Sequence, residues 1–147
     1  MDELFLRKSE QQHARITSMK YIGIIPARYA SSRFPAKALT LINGKPMIWW
    51  VWKSAMRWEN WHSLYIATDH QKIIDAAKEY SIPCLLTKDT HTDCLDRAAE
   101  VVDILEKDNK AGDRYVIIQG DEPLFNADTL NVDLSPPVVN FYTVVHE

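Results

Sequence analysis

A chain of 147 residues, 46% of them hydrophobic and 25% charged, can bury one sizeable core, and one domain is the default for that length. Its formal net charge of -3 excludes the general basic field on which nonspecific nucleic-acid binding depends, so an anionic ligand must be met by a local cluster of cations. No apolar run reaches bilayer-crossing length, and Cys84 and Cys94 are spaced neither as a disulfide framework nor as a zinc pair; a reduced, cytoplasmic protein without a membrane partner is expected.

Residues 1–18 read as a polar N-terminal extension of no assigned function, carrying Asp2, Glu3 and Glu10 where a signal peptide needs an apolar core. The domain proper is expected over 19–147. Its first strand is Tyr21 to Pro26, followed by a polar loop rich in Arg, Ser and Pro. Asn43-Gly44 marks a tight turn between short extended segments, and Pro46 suits the first turn of a helix running to about Trp58. That helix and its exit carry Trp49, Trp50, Trp52, Trp58 and Trp61; such density is expected to serve core burial and contact with a second copy, a homodimer, ahead of nucleobase stacking.

Ser63 to Thr68 is the second strand, and Asp69 at its end stands to touch a ligand or to cap the next helix, capping being the commoner use. Helical spacing follows from His70 to Tyr80 through Ile73, Ile74 and Ala77. Cys84 to Thr87 is a third strand. Leu95 to Lys107 is a third helix, with Asp93 as its N-cap and Leu95, Ala98, Ala99, Val102 and Leu105 as its apolar stripe. Tyr115 to Gln119 is apolar up to its last residue, as a strand covered on both faces should be, and Val138 to Val145 is a fifth strand after the Pro136-Pro137 stop. The five histidines lack metal-site spacing and read as surface or loop residues.

Strands alternating with helices give an α/β fold around a mainly parallel sheet, which binds ligands beyond the carboxyl ends of its strands. The chemistry should therefore follow residues 26, 68 and 119. Between Pro26 and Lys37 lie three cations, Arg28, Arg33 and Lys37, with the hydroxyls of Ser31 and Ser32, the charge and donors that a polyphosphate requires. It is neither a Walker A loop nor a dinucleotide fingerprint.

This loop resembles the signature of the cytidylyltransferases that activate acidic sugars, above all the 3-deoxy-manno-octulosonate cytidylyltransferases, which read Pro-Ala-Arg, then Ser-Thr-Arg, then Pro-Gly-Lys. Asn43-Gly44-Lys45-Pro46, Ala67-Thr68-Asp69 and Gln119-Gly120-Asp121-Glu122-Pro123 match the same family in order. The resemblance implies a Rossmann-like, three-layer nucleotide-diphospho-sugar transferase domain. It implies transfer of CMP from CTP to a sugar acid with release of pyrophosphate, as a step in lipopolysaccharide biosynthesis. Arg28 and Lys37 correspond to its triphosphate-binding residues, Arg33 to a further basic contact, and Asp121 to the aspartate that binds Mg²⁺. Gln119, with the backbone around Ala27, falls where the family recognises cytosine.

Two departures stand out. Ala36 replaces the glycine before the loop lysine, and Asp93-Cys94-Leu95-Asp96-Arg97 replaces a Ser-Gly-Thr-Glu-Arg-like segment near the base, keeping the arginine but not the small and hydroxyl residues. Family chains also continue further and supply sugar-acid contacts, a second metal-binding aspartate and most of the dimer interface. The alternatives are therefore a truncated, catalytically impaired nucleotide-binding module, or a nucleotidyltransferase with another acceptor such as a sialic acid.

Overall fold

A computed structural model describes residues 19–30, 36–119 and 141–144. Strand β1 is Tyr21–Pro26 and is wholly buried. A single 3-10 turn, Lys37–Leu39, leads to two short antiparallel strands, β2 (Leu41–Ile42) and β3 (Lys45–Pro46). Asn43 and Gly44 join them with φ of 50° and 81°, the doubly left-handed turn that an Asn-Gly pair adopts at least cost. Helix α1 is Met47–Met56, β4 is Trp61–Thr68, α2 is Gln71–Glu79 and β5 is Cys84–Leu86. Helix α3 is Cys94–Lys107, β6 is Arg114–Ile118 and β7 is Phe141–Val144.

The main sheet runs in the order β5-β4-β1-β6-β7, and every neighbouring pair in it is parallel. Side chains alternate across a strand, so β1 feeds two cores. Tyr21 and Ile25 join Ile48, Val51 and Ala55 of α1 and Ile73 and Ala77 of α2 on one face. Ile22 and Ile24 join Ala98, Val101 and Leu105 of α3 on the other. The strand is sandwiched, which is why it carries no polar residue. Each fully buried isoleucine contributes about 1.5–3 kcal/mol relative to exposure. No helix among the described residues is long and apolar enough to cross a membrane.

Pro46 precedes the first turn of α1 instead of lying in it, pairing with Leu41 as part of β3. The stripe expected on α3 holds in part: Ala98 and Leu105 are buried and Val102 packs partly buried against them, but Leu95 is 51% exposed, Ala99 is exposed, and Arg97 and Val101 are buried instead. Reading the helix from its apolar residues alone misses the arginine, because a guanidinium can be buried when its donors find oxygen acceptors. The tryptophans pack as amphipathic rings. Trp58 is buried edge-on to Tyr21 and Trp61, while the indole N–H groups of Trp50 and Trp61 donate to the carbonyls of Ile42 and Ala55 at 2.7 and 2.8 Å.

Candidate functional site

Chain order places the site. From β1 the chain moves outward to β4 and β5, then returns to lay β6 on the opposite side of β1. The carboxyl ends of β1 and β6 therefore lie side by side, at the edge where an open α/β sheet binds ligands. A cavity of about 420 Å³ occupies that position. It is lined by Pro26, Ala27 and Arg28 after β1, by Lys37 and Ala38, by Met47, by His91 to Cys94 with Arg97, and by Gln119 after β6. Ala27, Arg28, Lys37 and Gln119, singled out from sequence, are thus brought together. Ser31, Ser32, Arg33 and Asp121 lie outside the described residues.

The two ends of the basic loop are tied to each other and to β4. Ala27 N–H donates to the Ala67 carbonyl at 2.8 Å, Tyr29 N–H to Asp69 Oδ1 at 3.2 Å, and Ala36 N–H to the Tyr29 carbonyl at 2.7 Å. The Tyr29 ring stacks on His70 with centroids 3.9 Å apart. Asp69 therefore neither caps α2 nor lines the cavity; His70 is the cap, its Nδ1 accepting from Lys72 N–H at 3.1 Å. A histidine read as a surface residue is a structural one, because an imidazole nitrogen can accept where a carboxylate was expected.

Ala36 has φ 57° and ψ 33°, the left-handed conformation that a Cβ disfavours. The methyl therefore costs something at the hinge of the loop. Ala36→Gly is expected to stabilise the fold by about 0.5–1 kcal/mol, the relief of left-handed strain less the added freedom of the unfolded chain. Thermal unfolding checks it; an unchanged or lowered midpoint would show that no strain is held there.

The far wall is the segment entering α3. Asp93 Oδ1 accepts from Asp96 N–H at 2.8 Å, as an N-cap does. His91 Nε2 lies 2.8 Å from Glu100 Oε1, which also accepts from Lys88 N–H at 3.0 Å. Partial burial alone would raise the Glu100 pKa. The Lys88 N–H bond, the His91 bond and the charges of His91 and Lys88 outweigh it and hold the carboxyl below its usual range. Cys84 and Cys94 are both free; burial pushes the Cys84 thiol up to about 11, leaving it inert near neutrality.

Arg97 is the residue that sequence reading undervalued. It is 4% exposed, lines the cavity, and its Nη1 donates to Thr87 Oγ1 and, at 3.0 Å, to the Lys88 carbonyl. No carboxylate pairs with it among the described residues. The retained arginine in an otherwise altered segment was the only signal for it. With Arg28 and Lys37 at the exposed mouth, three cations face one cavity whose only acidic lining residue among those described is the N-cap Asp93. Such a site is built for a polyanion.

Comparison with known proteins agrees with this chemistry. A family model described as cytidylyltransferase matches residues 22–135. The 3-deoxy-manno-octulosonate cytidylyltransferase of Pseudoalteromonas translucida is 43% identical over 113 residues, 77% of this chain and 44% of that protein. Its counterpart in Pseudomonas fluorescens is 45% identical over 108 residues, 73% of this chain and 41% of that protein. The chain thus spans less than half the length of these relatives. A solved CMP:2-keto-3-deoxy-manno-octonic acid synthetase complexed with CTP superposes with a TM-score of 0.70 at 34% identity, covering 76% of this chain and 44% of that one. A 4-diphosphocytidyl-2C-methyl-D-erythritol synthase, at 12% identity and a TM-score of 0.60 over 77% of this chain and 51% of that one, shares the fold.

Proposed function

This chain belongs to the cytidylyltransferase family, and we propose on that premise that it binds CTP in the cavity beyond β1 and β6 and transfers CMP to a sugar acid. The acceptor is 3-deoxy-manno-octulosonate, the sugar acid in the names of its relatives. The observation that carries the reading is the convergence on one cavity of Arg28, Lys37 and the buried Arg97, which has no carboxylate partner among the described residues. A cation kept out of water without a partner carboxylate is costly unless an anion arrives to meet it.

Nucleotidyl transfer asks for position and charge more than for covalent help from the protein. An acceptor hydroxyl oxygen bonds to the α-phosphorus of CTP in line, the bond from that phosphorus to the bridging oxygen breaks, and its electron pair leaves on pyrophosphate. The hydroxyl proton passes to solvent. Arg28 and Lys37 stabilise the charge that grows on the leaving group. Gln119 and the backbone at Ala27 hold the cytosine. Asp93 is the one acidic lining residue among those described, and its Oδ1 is engaged by the Asp96 N–H as the cap of α3. Asp121 is the residue that would hold Mg²⁺, which when bound neutralises phosphate oxygens. A cytoplasmic setting and pairing of two copies through the tryptophan-bearing helix belong to the same reading.

Incubation with CTP, Mg²⁺ and 3-deoxy-manno-octulosonate should release pyrophosphate, and Asp121→Ala should reduce that release at least 100-fold, roughly the loss of one charge-neutralising partner in the transition state. A CTP-dependent rise in melting temperature without pyrophosphate from any sugar acid would leave a binding module and remove the transferase. Absence of both would remove nucleotide binding as well.

A further inference from the structure

Cys94 lines the cavity at the start of α3 and makes a defined contact there. The Gln119 carboxamide Nε2 donates to Cys94 Sγ at 3.4 Å, across the gap between the end of β6 and the start of α3. Both residues line the cavity. Gln119 Oε1 takes no partner among the described residues. The cysteine is itself held in place as the first residue of α3, next to the N-cap Asp93.

A glutamine carboxamide is two-faced: turned by half a rotation about its last torsion it offers either two N–H donors or a carbonyl acceptor. Cytosine and uracil differ at the ring position where one carries an amine donor and the other a carbonyl acceptor. An untethered glutamine can turn to satisfy both and so distinguishes neither. With Nε2 held at the sulfur by one of its two N–H groups, Oε1 is turned to the other side of the carboxamide, where it accepts from an amine and repels a carbonyl. We infer that Cys94 is a positioning residue for nucleobase choice, fixing the Gln119 carboxamide so that the cavity takes a cytidine nucleotide over a uridine one. The inference rests on the nucleotide reading of the cavity.

The test compares CTP and UTP binding by calorimetry, with thermal unfolding of each variant as a check on folding. Wild-type protein should prefer CTP. Cys94→Ala, which removes the acceptor at a half-buried helix position where alanine is well tolerated, should lower the CTP-to-UTP preference about five-fold, the worth of one neutral hydrogen bond. Cys94→Ser restores an acceptor at the same place and should retain the preference. Should the alanine variant not fold, Cys94→Val removes the acceptor while filling the space. An unchanged ratio in the variants without an acceptor, or an equal loss in the serine variant, would overturn the inference while leaving CTP binding itself intact. Wild-type protein that binds neither nucleotide sinks the underlying reading, and this inference falls with it. A merely structural role for the cysteine would change melting temperature and weaken both nucleotides together, without moving their ratio.

Discussion

Lys37→Ala is expected to weaken CTP binding by roughly 10- to 100-fold, and Lys37→Ala combined with Arg28→Ala to bring it close to undetectable. A hydrogen bond to a charged group contributes about 1.5–3 kcal/mol net, which is about 10- to 150-fold in affinity. Lys37 and Arg28 are both exposed at the cavity mouth, where water screens part of that energy, so the lower half of the range is the better expectation. Exposure also means that neither substitution disturbs the core, and the melting temperature of the unliganded protein should move little. Calorimetric titration with CTP at two salt concentrations checks both points, because an affinity built on exposed charge must fall as salt rises. Variants within two-fold of wild type would show that the polyphosphate does not lie at this mouth.

Arg97 should behave in the opposite way, with a large effect on folding as well as on ligand. Arg97→Ala leaves a cavity beside β5 and takes the donor from Thr87 Oγ1 and the Lys88 carbonyl. The expected loss is about 2–4 kcal/mol. For a domain of this size that lowers the melting midpoint by roughly 5–15 °C. Arg97→Met separates the two roles, since it keeps most of the volume and removes the charge. Its stability loss should be smaller, about 1–2 kcal/mol for the two orphaned acceptors, because the side chain's volume is largely kept and the cost of burying a charge is removed. Its CTP affinity should still fall about 10-fold, by the loss of one charge-assisted partner. A methionine variant that binds CTP as well as wild type would show that the guanidinium serves only the β5–α3 connection.

Much of this was legible one segment at a time. β1 is an unbroken apolar run because both of its faces are covered, and that pattern alone set its limits at Tyr21 and Pro26. The Asn43-Gly44 turn and the Asp93 cap were legible for a similar reason: each depends on the conformational freedom or the side-chain oxygen of a residue acting within three positions of itself. The left-handed conformation of Ala36 was foreshadowed by the glycine that the family motif carries at that place. Arg28 and Lys37 were found as cations in the loop after the first strand and Gln119 through the family resemblance, and all three line one cavity.

The partnerships were not legible. Asp69 holding Tyr29, Glu100 holding His91, Arg97 reaching Thr87 and Gln119 leaning on Cys94 join positions 9 to 40 residues apart. Local pattern fixes which residues are apolar but not which sheet face a helix covers, so the stripe on α3 was read with the exposed Leu95 and Ala99 in it and without the buried Arg97 and Val101. The sequence by itself determined the elements, their order and the chemical inventory of the loops, since those follow from backbone preferences and side-chain type acting over a few residues. Only the tertiary structure decided which loops share a cavity, because that depends on β6 returning to the far side of β1, a choice made by long-range packing of two cores against one sheet.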